Sequence, residues 1–211
     1  MRTKDNAISM SVVRRLPRYY RFFCFLREKG VTRISSGELA KRMGITASQI
    51  RQDLNCFGEF GQQGYGYPVE RLCEELGAIL GFNTVAGTIL IGVGNLGHAL
   101  VNHMDFEGKG LPLIGIFDDA PALVGTTLNG ITIRSTDELE SFCAEHHPSV
   151  AALCIPREAA EKLTERLIAA GIEAFWNFSH YDIAVDHPEV VVENVHLGDS
   201  LMTLSYLLEN R

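Results

Sequence analysis

Three glycines at a fixed spacing, Gly92-x-Gly94-x-x-Gly97, follow a short apolar run and open a stretch with helical periodicity. In such a pattern the first glycine permits a tight turn, the second lets the backbone approach a pyrophosphate, and the third lets the helix pack on the strand. The N-terminus of the helix then favours the negative charge of the phosphates. The pattern predicts a dinucleotide site, and we include the neighbouring Asn95 and Leu96 in it.

An acid pair, Asp118-Asp119, follows a second apolar run, residues 113–117, about twenty residues after the last glycine. A carboxylate at this strand end can accept hydrogen bonds from the hydroxyls of an adenine ribose, and it repels a 2′-phosphate. Asp118 is therefore the predicted ribose ligand. Strand, glycines, helix, second strand and acid in this order make a stronger signal than glycines alone. The alternative is a glycine-rich turn in an α/β protein that holds no ligand.

A second candidate site lies in residues 35–54, where two capping boxes each mark the start of a helix. The boxes begin at Ser35 and Thr46, and Gly44 between them ends the first helix. This arrangement predicts a helix-turn-helix, although an ordinary helical hairpin has the same pattern. The outer face of the second helix carries side chains that can reach base edges and phosphates in a major groove, namely Ser48, Arg51, Gln52 and Asn55.

Charge is distributed unevenly along the 211-residue chain. Residues 1–60 carry 12 Lys and Arg against 5 Asp and Glu, a net of +7, whereas residues 61–211 carry a net of −14. A basic segment on an acidic body favours a nucleic-acid surface near the N-terminal end, the alternative being a solvated surface without a partner. Four residues flanking the helix-turn-helix join the predicted DNA contacts: Arg14, Arg15, Tyr65 and Tyr67.

The segments around the helix-turn-helix complete a winged-helix pattern. Glycines and aromatic residues alternate over residues 57–68, which predicts a tight β-hairpin, the wing. Residues 16–26 predict an amphipathic first helix with proline near its start. Residues 69–80 predict a further helix that leads into a linker over residues 81–87.

From Thr88 onward, apolar runs alternate with helical stretches, which predicts a parallel sheet with helices on both faces. Pro156 and the pair Asn177-Phe178 follow two of these runs. Because such sheets bind ligands at the carboxyl ends of their strands, these residues are candidate cofactor contacts. The predicted strands span residues 88–91, 113–117, 131–133, 150–155, 174–177 and 190–192, and the predicted helices include 137–145 and 157–170.

Residues 197–208 predict a C-terminal helix that is apolar on more than one face. Such a helix needs a partner on more than one side, and an interlocked dimer would supply it. Packing of the helix onto its own domain is an equally open alternative.

Several kinds of site are not expected in this sequence. No chain remains for a substrate domain after the nucleotide fold, and no catalytic constellation is evident. The five cysteines form neither a CxxC pair nor a zinc spacing, which predicts reduced thiols in a cytoplasmic protein without a metal. No apolar run approaches the roughly 20 residues that span a bilayer, and no signal peptide is evident. A small NAD-dependent oxidoreductase with a helical appendage remains the alternative function, with a CoA- or NADP-binding regulator as a third.

Motifs shared with one protein family run through both halves of the chain: residues 48–54, 57–67, 92–100, 116–118, 156–160, 177–178 and 192–195. On these motifs the chain resembles the Rex family of redox-sensing transcriptional repressors along nearly its whole length. The resemblance implies a homodimeric winged-helix repressor of double-stranded operator DNA, with a Rossmann domain that binds NAD(H) and C-terminal helices swapped between protomers. It also implies that NADH favours a compact dimer that releases DNA, whereas NAD⁺ permits DNA binding.

The predicted domains are accordingly a winged-helix domain over residues 1–80, a Rossmann domain over 81–195 and a C-terminal helix over 196–211. Three glutamines stand where the family usually has basic residues, Gln52 after the recognition-helix arginine and Gln62 and Gln63 in the wing. Fewer cations release fewer counterions, so we expect weaker non-specific affinity for DNA.

Two histidines depart from the family pattern at positions that the resemblance links to the cofactor response. His103 stands where the family often has a tyrosine near the nicotinamide. His196 stands where it often has an aspartate that pairs with the arginine matched here by Arg21. Asp199 follows three residues later on nearly the same helical face and is a candidate replacement for that acid. We therefore predict that the response to NADH is altered.

Overall fold

The computed structural model describes residues 8–58, 60 and 65–210. The chain divides into two compact units, Met1–Asn83 and Thr84–Arg211. The division falls inside the predicted linker, three residues after the end of the predicted winged-helix domain. The functional boundaries of the domains stay a prediction.

The first unit is mainly helical, and its elements are α1 (Met10–Val13), α2 (Leu16–Glu28), β1 (Arg33–Ile34), α3 (Ser36–Met43), α4 (Ala47–Asn55), β2 (Tyr67–Pro68) and α5 (Val69–Ile79). Both predicted N-caps are present, because the hydroxyl of Ser35 accepts the Glu38 N–H and that of Thr46 accepts the Gln49 N–H. Gly44 ends α3 with a φ of 66°, a left-handed conformation that glycine adopts without strain. These contacts confirm the two predicted helix starts and the turn between them.

The core of the first unit explains how α4 is held. It is built from the inner faces of α2 and α5, against which α3 and α4 pack. Ala40 on α3 and Ile50 and Leu54 on α4 are buried, as their spacing predicts. The polar face of α4 is left exposed.

Only the end of the predicted wing can be compared with the structure. Tyr67 and Pro68 form β2, which pairs antiparallel with β1. Residues 59 and 61–64, and with them the tip of the predicted hairpin, lie outside the described residues.

The second unit contains a seven-stranded sheet in the order β5-β6-β4-β3-β7-β8-β9. Six strands are parallel, and β5 joins the edge antiparallel to β6. The six parallel strands have the order of a dinucleotide-binding fold. Successive strands are added on one side of β3 up to β6, and from β7 onward they are added on its other side. The strands are β3 (Thr88–Ile91), β4 (Leu113–Phe117), β5 (Thr127–Leu128), β6 (Ile131–Arg134), β7 (Val150–Leu153), β8 (Ala174–Asn177) and β9 (Val191–Asn194).

Helices cover both faces of this sheet, as predicted. Along β3, Ile89 and Ile91 point into one apolar cluster with α7 and α8, whereas Leu90 points into another with α6. The helices are α6 (Asn95–His103), α7 (Leu139–His146), α8 (Arg157–Ala169), α9 (Ile183–Asp186) and α10 (Leu197–Glu209), with 3₁₀ turns at Glu107–Lys109 and Thr136–Glu138.

The C-terminal helix α10 does not pack onto its own unit. None of its residues is buried, and Leu201 and Tyr206 are 68% and 67% exposed. Of the two alternatives left open by the sequence, packing of α10 onto its own domain is therefore not observed.

Candidate dinucleotide site and nucleic-acid interface

The glycine loop follows β3 directly, and two of its glycines fit positions where a side chain has no room. Gly92 has a φ of +95°, and a Cβ there would lie 2.6 Å from the carbonyl oxygen of Cys154. A Cβ on Gly97 would overlap the carbonyl oxygen of Gly92. Gly94 differs, because a Cβ there would meet nothing within 4 Å. The open space at Gly94 is where the backbone can approach a ligand.

The first turn of α6 begins in this loop. Its N-cap is Gly94, which has no side-chain oxygen to accept the first N–H groups of the helix. Asn95 is exposed and Leu96 is half-buried at the start of the helix. These N–H groups form an arrangement that can receive a phosphate.

Asp118 reaches the glycine loop from the end of β4. One carboxylate oxygen accepts the Val93 N–H at 2.7 Å, and the other accepts the Ala120 N–H at 2.8 Å. Two hydrogen bonds leave acceptor capacity on a carboxylate for ribose hydroxyls. Asp119 is turned elsewhere, because its carboxylate accepts the Thr136 N–H at 3.0 Å and the Thr136 hydroxyl at 2.7 Å. Of the acid pair, Asp118 is the residue at the loop.

Two other candidates lie at the same carboxyl edge of the sheet. Pro156 is exposed at the N-cap of α8, just after β7, the strand beside β3. Phe178 follows β8 and is half-buried, with its ring 4.6 Å from that of Trp176 in an edge-to-face contact. Pro156 lies where the strand order reverses, and Phe178 follows the next strand of the sheet, β8. These positions are consistent with the predicted cofactor contacts.

Asn177 has hydrogen-bond partners within the second unit. Its side chain is fully buried, and its amide donates to the Tyr181 carbonyl and to Asn194, both at 2.8 Å. Its oxygen accepts the Ser179 N–H and hydroxyl. Because these bonds engage both ends of the amide, the Asn177 side chain supports the loop that carries Phe178, and its predicted cofactor contact stays a prediction.

His103 lies away from the glycine loop of its own chain. It is the exposed last residue of α6, eight residues after Asn95, which corresponds to about 12 Å along a helix. The predicted role of His103 near the nicotinamide, which lies away from the pyrophosphate in a dinucleotide, stays a prediction.

The predicted DNA-reading side chains share the exposed face of α4. Ser48, Arg51, Gln52 and Asn55 are all exposed. The Arg51 guanidinium donates to the Ser36 hydroxyl at 3.1 Å, which holds it beside the N-terminal end of α3. Arg14 is exposed at the end of α1, and Tyr65 is 70% exposed.

Two of the predicted DNA contacts have partners within the first unit, and their contact with DNA stays a prediction. The Tyr67 side chain is only 6% exposed and belongs to the core of the first unit, where burial raises its pKa. The Arg15 guanidinium donates twice to Asp53, at 2.7 and 2.8 Å. Tyr67 therefore packs, and the two donors of Arg15 nearest to α4 are engaged within the domain.

Sequence reasoning missed Asp53 and Arg18. Asp53 is 1% exposed on the inner face of α4, and Arg18 donates to the Met43 carbonyl at the end of α3. The signal for Asp53 was present, since an acid occupies an inward position between Ile50 and Leu54. A buried acid requires a partner, and the basic first turn of α2 offers one.

The candidate switch residues lie in different units. Arg21 is exposed on α2. His196 is the N-cap of α10, with Nδ1 3.7 Å from an Asp199 oxygen and its ring 5.3 Å from that of His180. The approach of Asp199 to His196 is consistent with the predicted replacement of an acid, whereas the pairing of His196 with Arg21 stays a prediction.

Within residues 8–58, 60 and 65–210, no three His, Cys, Asp or Glu side chains come together as metal ligands. Over the same residues, no helix has the length and apolar character needed to cross a membrane.

Comparisons with known proteins agree with this division of the chain. A family model described as "Putative DNA-binding protein N-terminus" matches residues 7–55, and one described as "CoA binding domain" matches residues 83–181. A redox-sensing transcriptional repressor Rex from Caldanaerobacter subterraneus is 50% identical over 206 residues, which cover 98% of this chain and 92% of the relative. The chain belongs to the Rex family. A second relative of that name, from Clostridium perfringens, is 45% identical over 207 residues, 98% of this chain and 97% of its own.

Solved structures of Rex-family proteins match over the whole chain. The repressor RSP in complex with β-NAD⁺ and operator DNA has a TM-score of 0.89 and 48% identity, covering 98% of this chain and 94% of its own. RSP in complex with β-NADH has a TM-score of 0.88 and 46% identity, covering 98% and 96%. These matches confirm the predicted DNA-binding domain, Rossmann domain and C-terminal helix. Since its Rex relatives are transcriptional repressors, the chain is a regulator and not the oxidoreductase held as the alternative.

Proposed function

We propose that this chain is a homodimeric repressor that binds operator DNA through α4, binds NAD(H) at its glycine loop, and releases DNA when NADH is bound. The observation that carries the proposal is the full-length similarity to RSP, of which one structure holds β-NAD⁺ with operator DNA and another holds β-NADH. The cytoplasmic location predicted from the sequence belongs to the same proposal. A mobility-shift assay of the wild-type protein with operator DNA, repeated with NAD⁺ and with NADH, tests the proposal.

The second copy is supported by α10. Leu197, Leu201 and Leu204 are 65%, 68% and 53% exposed, although leucine side chains are ordinarily removed from water. A helix with this much apolar surface and no buried residue needs a partner, and the swapped helices expected in the family supply one.

The cofactor site favours an unphosphorylated adenine ribose. Asp118 lies against the glycine loop, where its negative charge repels the 2′-phosphate of NADP(H) or the 3′-phosphate of CoA. The name of the family model over residues 83–181 refers to CoA, but this carboxylate supports NAD(H).

We expect calorimetric titration to give an affinity for NADH at least about tenfold higher than for NADPH, equivalent to about 1.4 kcal/mol. Asp118→Asn removes the charge and keeps the shape of the side chain. It should therefore strengthen NADPH binding and reduce the difference between the affinities for NADH and NADPH. Asp119→Asn is the matched control, since Asp119 is bonded to Thr136 away from the loop. Equal affinity of the wild-type protein for the two cofactors would show that Asp118 does not face the ribose.

The response to NADH gives a second prediction with two competing forms. If Asp199 replaces the family aspartate, Asp199→Asn should blunt DNA release by NADH and leave NADH affinity nearly unchanged. If nothing replaces it, release by NADH from the wild-type protein should already be weak, and His196→Asp should strengthen it. Protonated His196 would repel Arg21, whereas neutral His196 can accept its hydrogen bond.

Titration of NADH into the protein–DNA complex, followed by fluorescence anisotropy, distinguishes the two forms. Asp182→Asn serves as a control, because it also removes one carboxylate from the second unit but lies outside α10. Strong wild-type release that neither substitution changes would refute both forms and place the switch away from this helix.

A further inference from the structure

The recognition helix α4 carries a carboxylate on its inner side. Asp53 is 1% exposed, and it lies among Ile50 and Leu54 in the same turns of the helix. Burial of a charge without partners is costly, so this side chain depends on the groups around it.

Each carboxylate oxygen of Asp53 accepts two hydrogen bonds. One oxygen accepts Arg15 Nε at 2.7 Å and the Tyr19 hydroxyl at 2.8 Å. The other accepts Arg15 Nη2 and Gln49 Nε2, both at 2.8 Å. Arg15 is the N-cap of α2 and Tyr19 is buried one turn later, so three of the four bonds join α4 to the start of α2.

The bonds outweigh the cost of burial. Burial alone would raise the pKa of Asp53, but the hydrogen bonds from Arg15, Tyr19 and Gln49 hold that pKa below its ordinary value. The carboxylate is therefore charged at neutral pH. Its hydrogen bonds to Arg15, Tyr19 and Gln49 stabilise the fold until the pH falls through this lowered pKa.

The same turn of α2 also holds the other helix of the pair. Arg18 donates to the Met43 carbonyl, at the C-terminal end of α3, where carbonyls have no partner within the helix. The basic residues Arg15 and Arg18 thus bind α4 and α3 respectively. Together, these two arginines connect the start of α2 to both helices of the helix-turn-helix and so hold α4 in its position and rotation.

We propose that Asp53 is a positioning residue for the reading of DNA sequence, acting through Arg15 and Tyr19 to set the rotation of α4. The proposal rests on the operator binding proposed above. Asp53 and Arg51 lie two residues apart on α4, so a rotation of the helix about its axis moves the Arg51 guanidinium across the groove. Base readout depends on such geometry, whereas contacts to phosphates tolerate more displacement.

The test uses the full-length protein with NAD⁺ and a duplex that the wild-type protein selects from a random pool. Affinity for this duplex and for a scrambled duplex is measured by fluorescence anisotropy. For Asp53→Asn we expect the ratio of the two affinities to fall about tenfold or more, the size of one lost base contact. Affinity for scrambled DNA and for NADH should stay unchanged.

The single variant also separates positioning from a direct phosphate contact by Arg15. Asp53→Asn frees the Arg15 guanidinium. If Arg15 contacts a phosphate, the affinity of this variant for both duplexes should therefore stay the same or rise. In that case Arg15→Met would lose the phosphate contact. Its affinity for both duplexes would fall alike, and the dependence of that affinity on salt concentration would decrease by about one released counterion. Positioning predicts a loss confined to the selected duplex.

The double variant Arg15→Met with Asp53→Asn keeps the shape of the pair without its charges. The new amide can accept from Tyr19 and donate to a flipped Gln49 side chain, so we expect this variant to fold. Arg166→Gln with Glu140→Gln is the matched control, since that pair has the same two-pronged geometry, at 2.7 and 2.9 Å, in the second unit. The control should keep the wild-type ratio, and the double variant should lose it.

Retention of the wild-type ratio by a folded Asp53→Asn protein would overturn the proposal. Should that variant fail to fold, the double variant decides, and a wild-type ratio in that folded protein overturns the proposal equally. Failure of the wild-type protein to select any duplex would instead contradict the proposed function.

Discussion

Replacing Gly97 with alanine is expected to abolish measurable NADH binding. The added Cβ would overlap the carbonyl oxygen of Gly92, one turn before it in the loop. Gly92 cannot yield, because it has a φ of +95° and lies against the carbonyl of Cys154. The helix α6 must then move off β3, which displaces the N–H groups that would receive the phosphates. Overpacking of this kind costs roughly 1–3 kcal/mol or more.

Calorimetric titration with NADH measures the effect, and thermal unfolding reports the accompanying loss of stability. Gly94→Ala separates loss of ligand binding from loss of stability, because the added Cβ has no neighbour within 4 Å in the chain and only a ligand would contact it. We expect that variant to keep wild-type stability and to bind NADH weakly. Gly37→Ala on α3, where a Cβ lies 4.0 Å from its nearest neighbour, should bind NADH normally. Wild-type NADH affinity in Gly97→Ala would show that the loop does not hold the cofactor.

Replacing Arg51 with alanine is expected to weaken operator binding by roughly 1–3 kcal/mol, about 5- to 150-fold, if the guanidinium contacts a guanine. Arg51 is exposed on the outer face of α4, and its bond to Ser36 orients the side chain before DNA binds. Arginine forms two hydrogen bonds with a guanine edge, and alanine forms none.

Anisotropy titrations with the selected duplex and a scrambled duplex check this assignment. Arg71→Ala is the control, because it removes the same charge from α5, where Arg71 pairs with Glu75 at 3.7 Å. That control should change both affinities little. If Arg51→Ala binds the selected duplex as tightly as the wild-type protein does, Arg51 is not a base-reading residue.

Elements with strong local signals could be predicted from the sequence. The strands β3, β4 and β8 begin and end at the predicted residues, because each is a short apolar run flanked by turn residues. The helix starts at Ser35 and Thr46 follow from capping residues that act within one turn. The glycine loop could be placed because its spacing reflects a local steric requirement.

Features that depend on distant contacts could not be predicted. The two-residue strand β5 exists only because β6 pairs with it. Tyr67 resembles an exposed wing residue in sequence, but its pairing with β1 turns it into the core. The hydrogen bond from the Asn177 amide to Asn194 could not be predicted either, because 17 residues separate the two side chains in the sequence.

The same limit applied to the basic residues of the first unit. Counting charges indicated a nucleic-acid surface, and it treated Arg14, Arg15 and Arg18 alike. The structure separates them, since Arg14 is exposed, Arg15 binds Asp53 and Arg18 binds the end of α3. Net charge indicates the kind of partner, and only tertiary contacts show which cations remain for it.

A mobility-shift assay on the wild-type protein with its selected duplex, repeated with NAD⁺ and with NADH at equal saturating concentrations, tests the central claim most directly. We predict that the complex persists with NAD⁺ and that NADH lowers the fraction of DNA bound. Equal fractions of bound DNA with the two cofactors would contradict a repressor that senses the NADH/NAD⁺ balance.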